Sequence, residues 1–274
     1  MSYAEHDTRV VVIDQENRGA SAARNQGMLQ AKGAYVGFVD ADDWLEPGYI
    51  QQLIDAYTVG IDLVCCGYYD HSIYGTYVPV SDYQDSNARI GQPELIQKLI
   101  KGTGGVPWGK LFKKSIVDQY NIRFHTKVKM SEDLIFNLEY ALHVQKAAVI
   151  QHHLYHYNRL NEHSLSARIE ESYIESYIIV NEELDVLLSR AGMEQAEKVQ
   201  YLDGRLVKLL HRICNHIAAD KVRSLLQKKH SISELLHHKA FKNLKNQHAA
   251  WLLVTQLLRS KMQVLKNKVK KIWK

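Results

Sequence analysis

Short apolar runs alternate with stretches of helix-forming residues in the first quarter of the chain. The apolar runs cover residues 10–13, 34–39 and 61–69, and their β-branched and aromatic side chains are typical of buried strands. Helical composition covers residues 21–31 and 47–57, and the second stretch opens with a proline, which a first helical turn tolerates. Strands that alternate with helices in this way predict an α/β fold with a mostly parallel sheet and right-handed crossovers.

The pattern changes from mixed to helical in the second half of the chain. Ser131 is a candidate N-cap for a helix over residues 132–143, and a strand-like run follows at 147–157. From about residue 170 onward the pattern is helical. We therefore predict an α/β domain over residues 1–168 and an α-helical region over residues 169–274.

The composition is that of a folded globular protein. Hydrophobic residues make up 46% and charged residues 24% of the 274 positions, which excludes a disordered or collagen-like chain. No apolar run reaches the roughly 20 residues of a transmembrane helix, and the N-terminus lacks the layout of a signal peptide. Three cysteines, Cys65, Cys66 and Cys214, are expected to be reduced and buried, which predicts a cytoplasmic protein.

Charge is distributed unevenly along the chain. The net charge is +5, but residues 221–274 hold 14 lysines and arginines against one glutamate, a net +13, and residues 1–220 carry −8. Apolar residues recur every seven positions in this basic tail, at Trp251, Leu258, Leu265 and Ile272. An amphipathic cationic helix of this kind is expected to bind an anionic membrane surface, peripherally on the inner face.

Two alternatives stay open for the same basic tail. An amphipathic helix also fits a dimer contact or a helix packed on the body of the protein. A net charge of +13 would also suit nucleic acid, but no nucleic-acid motif accompanies it, so no nucleic-acid partner is expected.

Three carboxylates follow the second apolar run directly, at Asp40, Asp42 and Asp43. Like charges repel, so placing them together at a strand end is unfavourable unless a cation relieves the repulsion. Mg²⁺ and Mn²⁺ prefer such oxygen ligands, often one or two carboxylates together with phosphate oxygens of a substrate. The alternative is a solvated acidic turn that caps the next helix.

The sequence around these acids, residues 17–27 and 31–43, resembles family 2 glycosyltransferases, which have the GT-A fold. Three later segments agree with the family in order: they lie at residues 108–114, 132–137 and 155–159, the last followed by residues 164–166. The resemblance covers about residues 8–168. It implies an enzyme that moves a sugar from a nucleotide diphosphate donor with inversion at the anomeric carbon.

By this resemblance, one group of residues binds the donor, which is expected to be a UDP-sugar. Asp40 and Asp42 match the two acids that hold a divalent cation, Mn²⁺ or Mg²⁺, against the donor diphosphate. Asp43 is expected to orient donor hydroxyls or bound water, and Arg24 and Asn25 match a segment of the nucleotide pocket. Arg24 is expected either to face a donor phosphate or to hold the acidic loop by ion pairing. From the residues alone, an arginine on a helix surface remains the alternative.

A second group is implied on the acceptor side. Asp133 matches the catalytic base that takes the proton of the acceptor hydroxyl, and Glu132 and Trp108 are expected to contact a saccharide or lipid-linked acceptor. Acids in a first turn also simply complete a helix N-terminus, and Trp108 equally fits a buried core position. The helix dipole keeps Asp133 ionised, so the carboxylate is a weak base unless burial raises its pKa.

Three histidines lie on the predicted strand at 147–157, at His152, His153 and His156. Their spacing does not suit zinc. On a regular strand His152 and His156 share one face, which would let His156 reach the cation, although a packed or surface histidine fits better.

One departure from the family concerns the start of the chain. Family members begin with a strand, a helix and a second strand that hold the nucleotide base, and these parts are absent from this sequence. We therefore expect a partial GT-A domain without its first β-α-β unit, because of a misassigned start, a trimmed sequence or a decayed gene. Such a chain should bind nucleotide weakly and be poorly soluble. The expected role is surface-polysaccharide synthesis, and the alternative is an inactive remnant or a scaffold that docks on a membrane or partner.

Overall fold

The computed structural model of the chain describes residues 2–71, 77–80, 89–159, 173–219 and 225–238. The chain divides into two compact units, Met1–Ser164 and Leu165–Lys274. The described residues of the first unit form strands and helices, and those of the second unit form helices.

The first unit contains most of the elements that the apolar pattern predicts, together with several short ones. In chain order they are α1 (Ser2–His6), α2 (Ala20–Gln30), β1 (Tyr35–Val36), β2 (Trp44–Leu45), α3 (Tyr49–Asp55), β3 (Leu63–His71), β4 (Tyr77–Val80), β5 (Arg89–Gly91), α4 (Gln92–Ile100), β6 (Lys110–Lys113), α5 (Lys114–Gln119), α6 (Glu132–Ala141) and β7 (Lys146–Asn158). The predicted helices at 21–31 and 132–143 are confirmed as α2 and α6. The helix predicted at 47–57 is confirmed as α3, but Pro47 precedes its N-cap, Gly48, instead of lying in its first turn. The predicted strands at 61–69 and 147–157 are confirmed as β3 and β7.

The sheet is mixed, with the strand order β1-β6-β3-β7-β2; β4 pairs with β3 and β5 with β7. β3 and β7 run parallel at its centre, and every other pairing among the described strands is antiparallel. The α/β class is confirmed, but a mostly parallel sheet is wrong for the described strands. Apolar runs report which segments are buried, whereas strand direction depends on how each connection returns to the sheet.

Aromatic side chains pack helix α6 against strand β6. Phe112 on β6 and Phe136 on α6 are fully buried, and their rings meet edge to face with centroids 5.4 Å apart. Phe136 also stacks on Phe124, at 4.1 Å between centroids. Cys65 and Cys66 on β3 are buried and form no disulfide, as expected. This packing fixes the first turn of α6 relative to the sheet.

The register between β3 and β7 shifts on both sides of Gly67. Cys66 pairs with Ile150 but Gly67 pairs with His153, so β7 contains extra residues there. Each extra residue reverses the alternation of faces along a strand. As a result His152 is exposed while His156 is buried, and the expectation that these two share one face is wrong.

The first predicted strand, residues 10–13, does not form. Val11 and Val12 are 70% and 58% exposed, and no described strand pairs with this segment. A strand needs a neighbour for its backbone hydrogen bonds, so an apolar run alone does not produce one. The second predicted strand, at 34–39, is confirmed only in part, as the two-residue β1 that pairs with β6.

The second unit consists of helices in its described part. They are α7 (Tyr173–Arg190), α8 (Gln195–Ala219) and α9 (Leu225–His237). Val180, Leu184 and Leu188 form a buried stripe along α7, and the buried Lys198 of α8 pairs with Asp185 of α7 at 3.0 Å. No described helix is long and apolar enough to cross a membrane. The amphipathic basic tail predicted at residues 251–272 lies outside the described residues.

Candidate active site

The three acids form a turn between β1 and β2. The amide of Asp43 donates to the carbonyl oxygen of Asp40 at 3.1 Å, which closes the turn. The side chain of Asp40 is 34% exposed, and Asp42 is exposed. Solvent therefore reaches the carboxylates of Asp40 and Asp42, the two predicted metal ligands.

Arg24 on α2 connects this turn to the first turn of α6. Its Nη2 donates to Oδ1 of Asp40 and its Nη1 donates to Oδ1 of Asp133, both at 2.8 Å. Glu132 lies 3.8 Å from the same Nη1, and the guanidinium carbon lies 5.2 Å from the ring centre of Phe124. Burial acts to lower the pKa of Arg24, but the three carboxylates outweigh it and raise that pKa. The structure thus brings the predicted base, Asp133, and one predicted metal ligand, Asp40, to the same guanidinium group, that of Arg24.

Burial raises the pKa of the Asp133 carboxyl to about 7, with repulsion from Glu132 adding to the effect and Arg24 opposing it. The side chain keeps 27% of its surface exposed. A carboxylate with this pKa accepts a proton far more readily than an ordinary aspartate does. Burial therefore overcomes the helix dipole, which by itself would leave Asp133 a weak base.

Helix α6 begins without the predicted side-chain cap. Ser131 occupies the N-cap position, but its backbone is left-handed, with φ 67°, and its hydroxyl makes no capping hydrogen bond. The expectation of a serine N-cap interaction is therefore wrong. The acids Glu132 and Asp133 lie in the first turn, where the helix dipole favours negative charge.

Asp43 points toward the sheet, whereas Asp40 pairs with Arg24. The Tyr155 hydroxyl donates to its Oδ2 at 2.5 Å, and the amide of Asn158 donates to its Oδ1 at 2.8 Å. The same Tyr155 oxygen accepts the amide of Asp40 at 3.1 Å. Burial raises the pKa of Asp43. These contacts let Asp43 and Tyr155 hold the acidic turn against β7.

Asn25, the predicted neighbour of the donor, ties α2 to a loop. Its Nδ2 donates to the carbonyl oxygen of Phe124 and its Oδ1 accepts the amide of Phe124, both at 2.8 Å. Asn25 also lines a cavity of about 370 Å³, whose other described lining residues are Arg18, Ala22, Gln26 and Thr126. The side chain of Asn25 thus holds the backbone of Phe124 beside this cavity.

Trp108 lies in the core rather than on the surface. The indole is 5% exposed, and it stacks on Tyr155 at 4.6 Å between ring centroids with an interplanar angle of 7°. A platform for an acceptor sugar needs an open ring face, so the alternative interpretation, a core tryptophan, describes Trp108 in this structure. Glu132, the other predicted acceptor residue, lies beside Arg24.

A second tryptophan, which sequence reasoning did not assign, lies beside the acidic turn. Trp44 directly follows Asp43 and is 45% exposed. Its ring lies parallel to that of His156 at 5.0 Å, and His156 in turn shares hydrogen bonds with Glu46 at 2.8 Å and His71 at 2.9 Å. The sequence could have marked Trp44 as a candidate site residue, because it directly follows Asp43. Nothing in the sequence links Glu46 and His71 to this site, because only the fold brings them to His156.

Asp40 and Asp42 suit a divalent cation in their chemistry. Carboxylate oxygens are the ligands that Mg²⁺ and Mn²⁺ prefer, and Arg24 takes up only Oδ1 of Asp40. In the part of the chain that the structure describes, no three histidine, cysteine, aspartate or glutamate side chains converge as a metal site. A cation held here would therefore depend on donor phosphate oxygens and water for its remaining ligands.

The sequence of the chain is similar to those of known glycosyltransferases. Residues 2–120 match the sequence model of the Glycosyl transferase family 2. The glycosyltransferase EpsH of Bacillus subtilis is 30% identical over 183 residues, which cover 66% of this chain and 53% of EpsH. The poly(ribitol-phosphate) beta-glucosyltransferase of Bacillus spizizenii is 27% identical over 204 residues, 73% of this chain and 31% of that protein. The chain thus spans about half the length of EpsH and less of the second relative.

A solved structure shares the fold. The crystal structure of Staphylococcus aureus TarS in complex with UDP-GlcNAc aligns with a TM-score of 0.61 at 18% identity, over 93% of this chain and 74% of that one. The GT-A fold that the resemblance implied is thereby confirmed. The family model and the relatives lead to one conclusion about the matched segment: residues 2–120 belong to family 2 of the glycosyltransferases.

Proposed function

We propose that this chain is an inverting glycosyltransferase that moves a sugar from a UDP-sugar to a hydroxyl of a saccharide or lipid-linked acceptor. The observation that carries the proposal is the Arg24 bridge. It joins Asp133, a carboxyl whose pKa is raised to about 7, to Asp40 of the acidic turn through two 2.8 Å contacts. A base and a diphosphate-binding turn are the two parts that such a transfer needs.

The proposed reaction is a single displacement. The acceptor oxygen forms a bond to the anomeric carbon while the bond from that carbon to the diphosphate oxygen breaks. The hydroxyl proton passes to the Asp133 carboxylate, and the nucleoside diphosphate leaves with the bonding electron pair. Because the acceptor attacks from the side opposite the leaving group, the anomeric centre inverts. Arg24 keeps the base oriented by holding one of its oxygens.

Asp40 and Asp42 are the residues that would hold Mn²⁺ or Mg²⁺ in this proposal. A bound cation supplies charge neutralisation for the departing diphosphate. Asp43 and Tyr155 fix the backbone of the turn, so that both ligating carboxylates start from a defined position.

The donor and acceptor classes come from the relatives. TarS was crystallised with UDP-GlcNAc, which supports a uridine nucleotide as the donor carrier. The Bacillus spizizenii relative acts on poly(ribitol phosphate), which supports a role in making a cell-surface polymer. A basic tail of net charge +13 would bring the enzyme to an anionic membrane where lipid-linked acceptors reside.

Calorimetric titration of the full chain with UDP, with and without Mn²⁺, tests the proposal. We expect binding that requires Mn²⁺ and that Asp42→Ala weakens about tenfold or more. Asp55→Ala, which removes an exposed carboxylate on α3, is the matched control and should leave the affinity unchanged. Absence of UDP binding by folded protein would refute the donor site and would favour the scaffold alternative.

A further inference from the structure

Trp44 is unusual among the aromatic side chains near the acidic turn because it is exposed. It is 45% exposed, whereas Trp108 and Tyr155 are buried behind the turn. Val39, on the other side of the turn, is 49% exposed. Exposed apolar side chains therefore flank the carboxylates on both sides, an arrangement that favours a ligand with both polar and apolar parts.

The ring of Trp44 is held in place from beneath. Its inner face stacks on His156 at 5.0 Å with an interplanar angle of 10°, and the His71 ring lies 4.6 Å away. Both ring nitrogens of His156 are engaged, by Glu46 and by His71. Backbone pairing of β2 with β7 adds a further constraint, since Trp44 lies opposite His156 in the register.

A fixed aromatic ring binds at a low entropic cost. Tryptophan has few rotatable bonds, so a ring already oriented by its neighbours loses little freedom when a ligand covers it. The face of a pyranose ring carries C–H groups that pack on an aromatic surface, while its hydroxyls remain available to polar neighbours. Trp44 therefore offers the apolar half of a sugar-binding site, and the acidic turn offers the polar half.

We propose that the open face of Trp44 binds a sugar ring of the substrates. The inference rests on the proposed glycosyltransferase function and assigns a residue for which neither the sequence motifs nor the family match gives a role. Trp44 lies two residues after Asp42, a Cα separation of at most about 7 Å. In a sugar nucleotide the transferred ring is joined directly to the diphosphate, so a ring next to this turn is required by the donor's own chemistry.

The sugar on Trp44 is either the donor's glycosyl group or a unit of the acceptor, and binding experiments distinguish the two. The full chain is labelled with 5-fluorotryptophan, and the Trp44 resonance is assigned by its absence from Trp44→Phe. The labelled protein is then titrated with UDP, UDP-GlcNAc, UDP-glucose and methyl glycosides of glucose, galactose and N-acetylglucosamine. Sugar-bearing ligands should shift the Trp44 resonance, and UDP alone should not.

Trp44→Ala should weaken one class of sugar-bearing ligand about five- to tenfold while UDP affinity stays the same. Weaker UDP-sugar binding would assign the donor ring, and weaker methyl glycoside binding would assign the acceptor. Trp44→Phe should restore most of the affinity because an aromatic face is kept. Tyr120→Ala is the matched control, because Tyr120 is also 45% exposed and stacks on a histidine, His143.

The inference is overturned if UDP binds but no sugar-bearing ligand shifts the Trp44 resonance. It is equally overturned if Trp44→Ala lowers only the melting temperature, which is the result expected from a purely structural contact. Loss of UDP binding in the unaltered chain refutes the proposed function instead. Methyl glycosides that still shift Trp44 in that case support the sugar site by itself.

Discussion

Two of the charged neighbours of Asp133, Glu132 and Arg24, act on its proton affinity in opposite directions. Glu132 is next to it in sequence and repels the ionised form, while Arg24 pairs with it at 2.8 Å and favours that form. Burial is the largest influence, and it places the pKa at about 7. A raised pKa means that the carboxylate exists above about pH 7 and that the neutral acid exists below it.

Transfer activity should therefore fall as the pH decreases through about 7, because protonated Asp133 cannot accept the acceptor's proton. Asp133→Asn should lower kcat by about 10²- to 10⁴-fold, the usual contribution of a general base, and should leave UDP affinity close to normal. Initial rates between pH 5 and 9, about two units either side of the pKa, together with UDP titrations, measure both effects.

Variants of Glu132 and Arg24 should shift the acid limb of the pH profile in opposite directions. Glu132→Gln removes a repulsion, so the acid limb of the kcat/KM profile should move to lower pH. Arg24→Gln removes an attraction, so the limb of its residual activity should move to higher pH. A limb that stays in place in both variants would show that another group titrates.

At the scale of elements, helix α2 joins two parts of the candidate site through adjacent residues. Arg24 reaches the acidic turn and α6, and Asn25 binds both backbone groups of Phe124. The resemblance assigned both residues to the donor pocket, and no feature of local sequence distinguished their contacts. Their different contacts follow from helical geometry, in which consecutive side chains point about 100° apart.

Asn25→Ala should destabilise the first unit by about 1–3 kcal/mol, because it leaves the amide and carbonyl of Phe124 without their partners. Urea denaturation followed by tryptophan fluorescence measures the loss. The control is Gln30→Ala, an exposed position at the end of the same helix, which should change stability little. Equal stability of the two variants would contradict a structural role for the Asn25 contacts.

Helices were easier to predict from the sequence than strands. α2, α3 and α6 are set mainly by local preferences and by the spacing of apolar side chains along one helix. Residues 10–13 have the composition of a strand, yet they remain unpaired with any described strand. His152 and His156 lie on different faces of β7 because the register against β3 shifts between them, and no pattern within β7 reveals that shift.

At the scale of the whole molecule, the chain carries opposite charge in its two parts. Residues 1–220 have a net charge of −8 and residues 221–274 have +13. An acidic body is repelled by an anionic surface, while the basic end is attracted to it. Membrane binding in this proposal would therefore be carried by the tail and would weaken as salt is added.

The full chain should co-sediment with vesicles of phosphatidylglycerol and phosphatidylcholine, and less so with phosphatidylcholine alone. Replacing Lys266, Lys268 and Lys270 by glutamine should reduce binding at low salt about a hundredfold, because each charge near the surface contributes about 1 kcal/mol. The matched control replaces Lys32, Lys101 and Lys127, three exposed lysines of the first unit. Equal loss of binding in both triple variants would argue against a specific role of the tail.

The sequence by itself determined the family, the α/β class and the chemical identity of the acidic turn, because each depends on residues close together in the chain. Only the tertiary structure decided how those residues act together. Arg24 and Asp133 are 109 positions apart, and their contact, like the burial that raises the Asp133 pKa, exists only after folding. Burial of Trp108 and exposure of Trp44 were likewise decided by packing, because local composition does not record which face of a side chain other segments cover.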